Sequence, residues 1–306
     1  MKTRNQKIKI FYRPEMAYQG LDNSYSNSPK KPKLFVEQLM LNKKFESDFE
    51  ILSFNPFNIE DFYLAHSKTY VESFFSGKEP LASSNNIKWS LDFAETVKYT
   101  NASLYESIKH SLLYPADLCC SPTSGFHHAS PNKGGGFCTF SGQVLASLKI
   151  YNELGKVGVY FDLDGHYGNS ISDHKKAGNT PDLAFAIPSW GNINPDGKGK
   201  HYLVELEKYL ELFKSAALKK EVDYVVWCHG ADSCFGDNLG GSVSAEDWLM
   251  CTKLFVDCIA EIEQYLQRPF PVSYALFGGY RNNYNEVLDL HVLDTMELLK
   301  LQKKIK

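Results

Sequence analysis

The sequence predicts an α/β fold built on a parallel sheet whose two faces are both covered by helices. Short, nearly continuous apolar runs indicate buried strands, and longer segments with a 3.6-residue apolar period lie between them. The chain has 306 residues, of which 43% are hydrophobic and 23% charged. This composition is globular rather than disordered or fibrous. Because the chain contains no repeat and no long linker, we predict one domain over residues 1–306.

Each element follows from its local pattern. The clearest strand is Val157–Asp164, which reads VGVYFDLD and follows the helix-stopping Gly155. The other predicted strands are Lys7–Tyr12, Ala116–Cys120, Leu183–Pro188, Val222–His229 and Val272–Phe277. The predicted helices are Ser90–Leu112, Ser141–Leu154, Tyr202–Lys219, Ala245–Leu266 and Asn283–Leu301. The fourth helix follows Ser244, which with Asp247 resembles an N-terminal capping pair.

Charge and cysteine content exclude several classes of protein. A formal charge of −3 argues against a dedicated nucleic-acid binder, and the absence of a long apolar run argues against a membrane span. The N-terminal segment lacks a signal-peptide core, and the seven cysteines show no zinc-finger spacing. We therefore expect buried free thiols and a cytoplasmic protein. The basic run Lys30, Lys31 and Lys33 is interpreted as part of a solvated loop.

Polar side chains at the end of the VGVYFDLD strand are the first functional signal. Asp162 and Asp164 point the same way along the strand, and His166 follows at the same period. Such a group needs a cation or a network of donors, because isolated buried carboxylates are costly. Mixed carboxylate and imidazole ligands suit zinc, iron(II), cobalt or manganese. The alternative is an Asp-capped loop with a surface histidine.

Three more polar segments follow predicted strands. Gly125–Ala129 contains adjacent histidines and precedes the glycine-rich Gly134–Cys138, while Gly230–Gly241 and Phe277–Tyr280 follow the last two predicted strands. Each alone could be a turn, and a His-His pair alone is more often a surface feature. However, the carboxyl ends of parallel strands are where α/β sheets place ligand sites. The occurrence of all of them in this order is therefore more specific than any one.

In this order the segments resemble the histone deacetylase family, of the class II-like, bacterial type that includes acetylpolyamine amidohydrolases. The resemblance is strongest over Pro122–Asn169, Gly230–Gly241 and Gly278–Tyr280, and His66–Val71 resembles the family's HSxxYV stretch. It implies the arginase–deacetylase fold. That fold is a three-layer α/β/α domain with a central, mostly parallel sheet of about eight strands and a tunnel formed by long loops.

The resemblance also implies a metal site. Asp164, His166 and Asp237 match the family's zinc ligands, with Fe²⁺ or Co²⁺ as substitutes. Three protein ligands leave positions open for water and the substrate carbonyl. Asp162 matches the carboxylate that supports the first histidine of the tandem pair and helps to bind a monovalent cation, often K⁺.

Further roles follow from the same resemblance. His127 and His128 match the tandem histidines that handle protons, and Asn169 matches the partner of the second one. Tyr280 matches the tyrosine whose hydroxyl polarises the amide carbonyl. The residues that match the tunnel wall are Gly136 and Phe137.

Some positions depart from the family's pattern. Tyr167 follows His166 where most relatives have a second histidine, and Gly191–Pro195 lacks the second tunnel aromatic. Ala186–Pro188 replaces a Ser-Leu-His type segment, which bears on the monovalent-cation site. His229 is interpreted as a buried core histidine rather than as a fourth ligand.

The resemblance implies a zinc-dependent amidohydrolase that removes an acetyl or related acyl group from an acylated amine. Acetyl-lysine in protein, an acetylated polyamine and a small-molecule amide all stay open as substrates, and the oligomeric state is undetermined. One alternative is an arginase-like ureohydrolase with two manganese ions, which is disfavoured because Asn169 stands where a carboxylate would help. The other is a catalytically weak module that binds acyl-lysine.

Overall fold

The computed structural model describes residue 4, residues 7–18, residue 20, residues 26–41 and residues 46–303. At the centre of this part lies a seven-stranded sheet in the order β2-β1-β3-β7-β6-β4-β5, and every neighbouring pair is parallel. The strands are β1 (Ile8–Phe11), β2 (Phe49–Leu52), β3 (Leu118–Ser121), β4 (Gly158–Asp162), β5 (Asn192–Ile193), β6 (Tyr224–Gly230) and β7 (Val272–Phe277). All their carboxyl ends therefore meet at one edge.

Helices cover both faces of the sheet. They are α1 (Lys31–Leu41), α2 (Lys68–Phe75), α3 (Leu91–Leu113), α4 (Gly142–Leu154), α5 (Ser170–Ala177), α6 (Leu183–Ala186), α7 (Lys200–Leu218), α8 (Ala245–Leu266), α9 (Tyr284–Leu298) and α10 (Lys300–Lys303). One apolar cluster joins the sheet to α1, α7, α8 and α9, and a second joins it to α2 through α6. This three-layer arrangement is that of the arginase–deacetylase fold and confirms the predicted fold class; the single-domain assignment over 1–306 stays a prediction.

The strands are apolar throughout because both of their faces are buried. In β6, Val225 and Trp227 enter one cluster, whereas Tyr224, Val226 and Cys228 enter the other. Successive side chains alternate between faces, so a strand with two covered faces shows no polar alternation.

Local capping sets several helix boundaries where the sequence predicts them. Ser90 accepts a hydrogen bond from the Phe93 amide at the start of α3. Ser244 does the same for the Asp247 amide at the start of α8, which confirms the predicted capping serine. Helix α4 ends at Gly155, whose φ of +64° is left-handed.

The strand predictions need correction at three places. Leu183–Ala186 is a short helix rather than a strand, because it follows Pro181 and the amides of Phe185 and Ala186 bond back to Asp182. Its apolar run is too short for periodicity to separate helix from strand. Conversely, Phe49–Leu52 and Asn192–Ile193 form the two edge strands, and neither was predicted. Edge strands are short and less apolar, so their sequence pattern is weak. The described residues form seven strands, whereas about eight were expected.

The cysteines agree with the sequence analysis. All seven are buried and free, as expected. Within the described ranges, no helix combines the length and the apolarity needed to cross a bilayer.

Candidate active site

The candidate site lies at the carboxyl edge of four adjacent strands, β3, β7, β6 and β4. Each strand is followed by a loop that brings polar side chains to this edge. The side chains are His127 and His128 after β3, Asp162, Asp164 and His166 at and after β4, Asp232 after β6 and Tyr280 after β7. Their convergence confirms that the predicted segments share one edge of the sheet.

Asp164, His166 and Asp232 form a group that fits a divalent metal ion. Their ligand atoms all lie within 4.8 Å of one another. His166 Nδ1 lies 3.0 Å from Asp164 Oδ1 and also 3.0 Å from Asp232 Oδ2. One N–H cannot serve two carboxylates well, and Asp232 Oδ2 has no hydrogen-bond partner among the described residues. Two carboxylates and one imidazole around a common point are a donor set that suits zinc or iron(II).

The third member of this group differs from the sequence prediction, which named Asp237. Both carboxylate oxygens of Asp237 instead accept backbone hydrogen bonds, from Leu239 N at 3.0 Å and from Tyr280 N at 2.7 Å. The sheet register explains the difference. Asp162 lies opposite Cys228, so β6 reaches the level of Asp164 near its end and Asp232 follows at once. Asp237 comes only after a further turn.

Close backbone packing holds the Asp232 carboxylate. Gly278 has a φ of +52°, and a Cβ there would overlap Asp232 Oδ1. Gly165 N donates to the same oxygen at 3.0 Å. Glycine at position 278 therefore lets the end of β7 approach the carboxylate.

The charges of the group act strongly on one another. The carboxylates of Asp164 and Asp232, each 3.0 Å from His166 Nδ1, raise the pKa of His166 to about 10. Burial and the neighbouring Asp164 raise the pKa of Asp232, whereas His127 and His166 outweigh burial and lower the pKa of Asp164. Two buried carboxylates so close together need positive charge beside them. A divalent cation would supply it.

His127 is paired with a carboxylate. Its Nδ1 donates to Asp162 Oδ2 at 3.0 Å, and its Nε2 lies 3.7 Å from Asp164 Oδ1. Burial opposes the charged form, but Asp162 and Asp164 outweigh it and raise the pKa of His127 to about 9. The neighbouring carboxylates therefore favour the protonated form of His127.

His128 has a neutral partner instead. Asn169 Nδ2 donates to Asp173 Oδ2 at 2.6 Å, which turns the Asn169 carbonyl oxygen toward His128 Nδ1 at 2.8 Å. His128 Nδ1 must then carry the hydrogen, so Nε2 is left with a lone pair. Burial and the nearby His127 lower the pKa of His128. Asp173, which orients the amide, was not recognised from the sequence.

The aromatic rings of Tyr280 and Phe137 lie beside the imidazole rings of the site. Tyr280 lies 6.2 Å from His166 and 5.7 Å from Phe137 between ring centroids. His128 lies 6.0 Å from His166 and 4.0 Å from His127. Burial, followed by the charges of Asp164 and Asp232, raises the pKa of Tyr280, so its hydroxyl stays protonated and able to donate.

The glycine-rich segment forms a wall against the histidines. A Cβ at Gly136 would lie 2.5 Å from His128 Cδ2, so only glycine fits there. Phe137 has a φ of +63°, a strained conformation for a bulky residue, and its amide donates to Asn85 O at 2.9 Å. Strained backbone of this kind concentrates at functional sites.

Comparison with known proteins agrees with this geometry. The family model "Histone deacetylase domain" matches residues 25–182, a little more than half of the chain. The chain belongs to the histone deacetylase family. It is also similar to histone deacetylase 10, chloroplastic, of Oryza sativa subsp. japonica, at 26% identity over 195 residues. That match covers 54% of this chain and 42% of the rice protein, so the chain spans less than half of that relative's length.

The matched region includes only part of the deacetylase-like site. Residues 25–182 contain both tandem histidines, Asp164, His166 and Asn169. Asp232 and Tyr280 lie beyond residue 182. Their assignment to the site therefore depends on the geometry described above.

The segment that the sequence analysis compared with the family's monovalent-cation site does not lie on the strand beside β4. Ala186 is the last residue of helix α6, and Ile187 and Pro188 follow it. The strand beside β4 is instead β5. Ile193 pairs with Phe161, so Asn194 comes next to Asp162, and its Oδ1 accepts from Gly168 N at 2.7 Å. A potassium ion near Asp162 stays a prediction.

His229 is a core residue, as the sequence analysis expected. Its Nδ1 lies 3.0 Å from Asp294 Oδ1, and its ring stacks on Trp248 with centroids 3.8 Å apart. Trp248 Nε1 also donates to Gly230 O at 2.8 Å. The contacts support the end of β6, two residues before Asp232.

Lys31 is the clearest contradiction of the surface assignments. Instead of lying in a solvated loop, it is completely buried at the start of α1. Its Nζ donates to the carbonyls of Leu276, at 2.9 Å, and Gly278. Burial lowers the pKa of Lys31 to about 7, although Asp232 and Asp164 oppose the shift. The basic run gave no sign that one of its members turns inward.

Lys31→Met should lower the free energy of unfolding by about 1–3 kcal/mol, because two buried hydrogen bonds from the amino group are lost. The matched control is Lys33→Met on the same helix, where Nζ lies on the surface 3.8 Å from Glu37 Oε1. The control should stay within about 0.5 kcal/mol of wild type. Urea unfolding of both variants measures this difference, and equal stabilities would contradict the structural role of Lys31.

Proposed function

We propose that the protein is a zinc-dependent deacylase that hydrolyses the amide of an acylated primary amine, with the ε-acetyl-lysine side chain as the first candidate substrate. Asp164, His166 and Asp232 would hold the ion. The proposal is supported by family membership and by the donor geometry of these three side chains.

The site contains the groups that amide hydrolysis requires. When bound, a divalent ion lowers the pKa of water toward neutrality and polarises a carbonyl. His128 Nε2, which has a free lone pair, accepts the proton of the attacking water and later donates it to the departing amine. A new C–O bond forms and the C–N bond breaks, which yields a carboxylic acid and a primary amine. The acid then gives its proton to the amine, so the final products are a carboxylate and an ammonium group. The Tyr280 hydroxyl donates to the oxyanion that develops on the carbonyl.

His127 has a different task from His128. Asp162, which accepts the hydrogen bond of His127 Nδ1 and lies outside the candidate ligand set, favours the protonated form of His127 and makes it a poor base. It stabilises negative charge in the site, while the neutral His128 moves the proton. When the surroundings of two adjacent histidines shift their pKa values in opposite directions, the two side chains are suited to different roles.

The observation that carries the proposal is the combination of the three candidate ligands with the His128 lone pair and the Tyr280 hydroxyl at one edge. A two-manganese ureohydrolase would need further acidic ligands. Asp162 is already bonded to His127, and Asp237 accepts two backbone amides. A module that only binds acyl-lysine would have no use for the proton-transfer arrangement around His128.

The test is hydrolysis of a panel of substrates by zinc-loaded protein. The panel contains acetyl-lysine peptides, peptides with longer acyl chains and acetylated polyamines, each assayed with and without a chelator. We expect turnover that the chelator abolishes and added zinc restores. Binding of an acyl-lysine peptide without turnover would support the binding module, and release of urea from arginine would support the ureohydrolase.

A pH profile tests the role of His128. Exchange of its neutral partner for a charged one, in Asn169→Asp combined with Asp173→Asn, should raise the pKa of His128 by about 1–3. Since the base must be unprotonated, the acidic limb of kcat/KM should move to higher pH by at least about one pH unit. In wild type, the lowered pKa of His128 should place that limb at lower pH than in the double variant.

The control for this exchange is Asp173→Asn alone. It keeps an amide beside His128, so the acidic limb should stay at the wild-type position. An unchanged limb in the double variant would show that His128 is not the base.

A further inference from the structure

We infer that Asp237 is a positioning residue for Tyr280: it holds the backbone of the tyrosine from the loop that carries Asp232. This inference deepens the proposed function and rests on it for its catalytic consequence. It concerns a residue that the sequence analysis assigned to the metal.

The first step is the contact itself. Tyr280 N donates to Asp237 Oδ2 at 2.7 Å, and the other oxygen of Asp237 accepts from Leu239 N. One carboxylate thus ties its own loop and the Tyr280 backbone together. Hydrogen bonds from backbone amides to an ionised carboxylate are among the stronger ones in proteins.

Neighbouring contacts join the same two loops. Asn238 Nδ2 donates to Tyr280 O at 2.7 Å and to Asn282 Oδ1 at 2.9 Å. Arg281 donates to Phe235 O at 2.7 Å. Both the amide and the carbonyl of Tyr280 are therefore bonded to residues 237 and 238.

The opposite side of the segment is held by Lys31. Its Nζ bonds to the carbonyls of Leu276 and Gly278, the latter two residues before the tyrosine. Gly278 and Gly279 both have positive φ, at +52° and +101°, so this segment has little intrinsic rigidity. Its course is set by the groups that bond to it.

The consequence for catalysis is geometric. The Tyr280 ring lies 6.2 Å from His166, and its hydroxyl must reach an oxyanion that forms beside the candidate metal ligands. A misplacement of about 1 Å by a residue outside the chemistry can cost about 100-fold in rate. Loss of the Asp237 carboxylate should therefore act on kcat through Tyr280.

The test uses the full chain loaded with zinc. Asp237→Ala should lower kcat by about 100-fold, change KM little and keep the wild-type zinc content. Asp237→Asn retains one acceptor oxygen and should lose less. In a Tyr280→Phe background, Asp237→Ala should change kcat by less than about threefold, since the group it positions is absent. If Asp237→Ala lowered kcat by a further 100-fold or so in the Tyr280→Phe background, or if it lost zinc, the inference would be overturned.

A readout that does not need turnover separates this inference from the proposed function. Amide hydrogen exchange over residues 278–283 should be at least about tenfold faster in Asp237→Ala than in wild type. The matched control is Asp223→Ala, which removes a carboxylate that accepts from Val157 N at 3.0 Å at the other edge of the sheet. It should leave exchange over 278–283 unchanged. If wild type is inactive, the proposed function fails, yet unchanged exchange in Asp237→Ala would still refute the inference.

Discussion

Tyr280→Phe should lower kcat by about 100- to 1,000-fold, because it removes one donor to the developing oxyanion. The tyrosine is half-buried, and desolvation with the nearby Asp164 and Asp232 charges raises its pKa, so the wild-type hydroxyl remains a donor across the working pH range. Steady-state kinetics on an acetyl-lysine peptide measure the effect. The ring is preserved, so packing against Phe137 should survive.

Zinc content and thermal stability are the controls for Tyr280→Phe. Both should match wild type, because the hydroxyl is not one of the three candidate ligands. A variant with full turnover would remove Tyr280 from the mechanism, and one that lost zinc would give it a different role.

Asp232→Asn should abolish zinc binding and reduce turnover to background. Asp232 is completely buried and supplies one of two carboxylates to the group, so an amide there removes both charge and a ligand oxygen. Metal analysis after dialysis measures the loss. Because the charge crowding around Asp164 is relieved, the apo variant should fold at least as well as apo wild type.

Asp237→Asn is the matched variant for this comparison. It makes the same chemical change five positions away, where the carboxylate bonds to backbone amides. Zinc should be retained. If Asp237→Asn lost zinc and Asp232→Asn kept it, Asp237 would be the metal ligand, as the sequence analysis predicted.

The sequence correctly predicts that the polar segments meet at the carboxyl ends of the strands. The prediction needs only local signals, namely apolar strands that are each followed by polar residues. Asp162, Asp164 and His166 follow one apolar strand, and their convergence needs only the period of a strand. His127 and His128 are assigned by resemblance, and the structure places His127 beside Asp162 and Asp164 and His128 beside Asn169.

The sequence analysis assigned Asp237 to the metal, whereas the structure groups Asp232 with Asp164 and His166. The register between β6 and β4, which brings Asp232 there, is not visible in the sequence. Asp162 pairs with Cys228, which makes the first acidic residue after β6 the nearest one. The signal that could have found it is this position, directly after the strand end. Asp237 lies in the same loop and has the same chemistry, so composition cannot distinguish the two.

Lys31 and Asp173 were missed for a related reason. Lys31 stands in a basic run that is typical of a solvated surface, and its burial depends on carbonyls from residues 276 and 278, far along the chain. Asp173 acts on His128 only through Asn169. Partners that meet through tertiary contacts leave no local pattern to read.

Anomalous X-ray diffraction at the zinc edge, from crystals of the zinc-loaded protein, tests the central claim most directly. We predict one strong peak bonded to Asp164, His166 and Asp232 at about 2.0–2.2 Å. A peak bonded to Asp237 in place of Asp232, or no peak among these side chains at saturating zinc, would contradict the account.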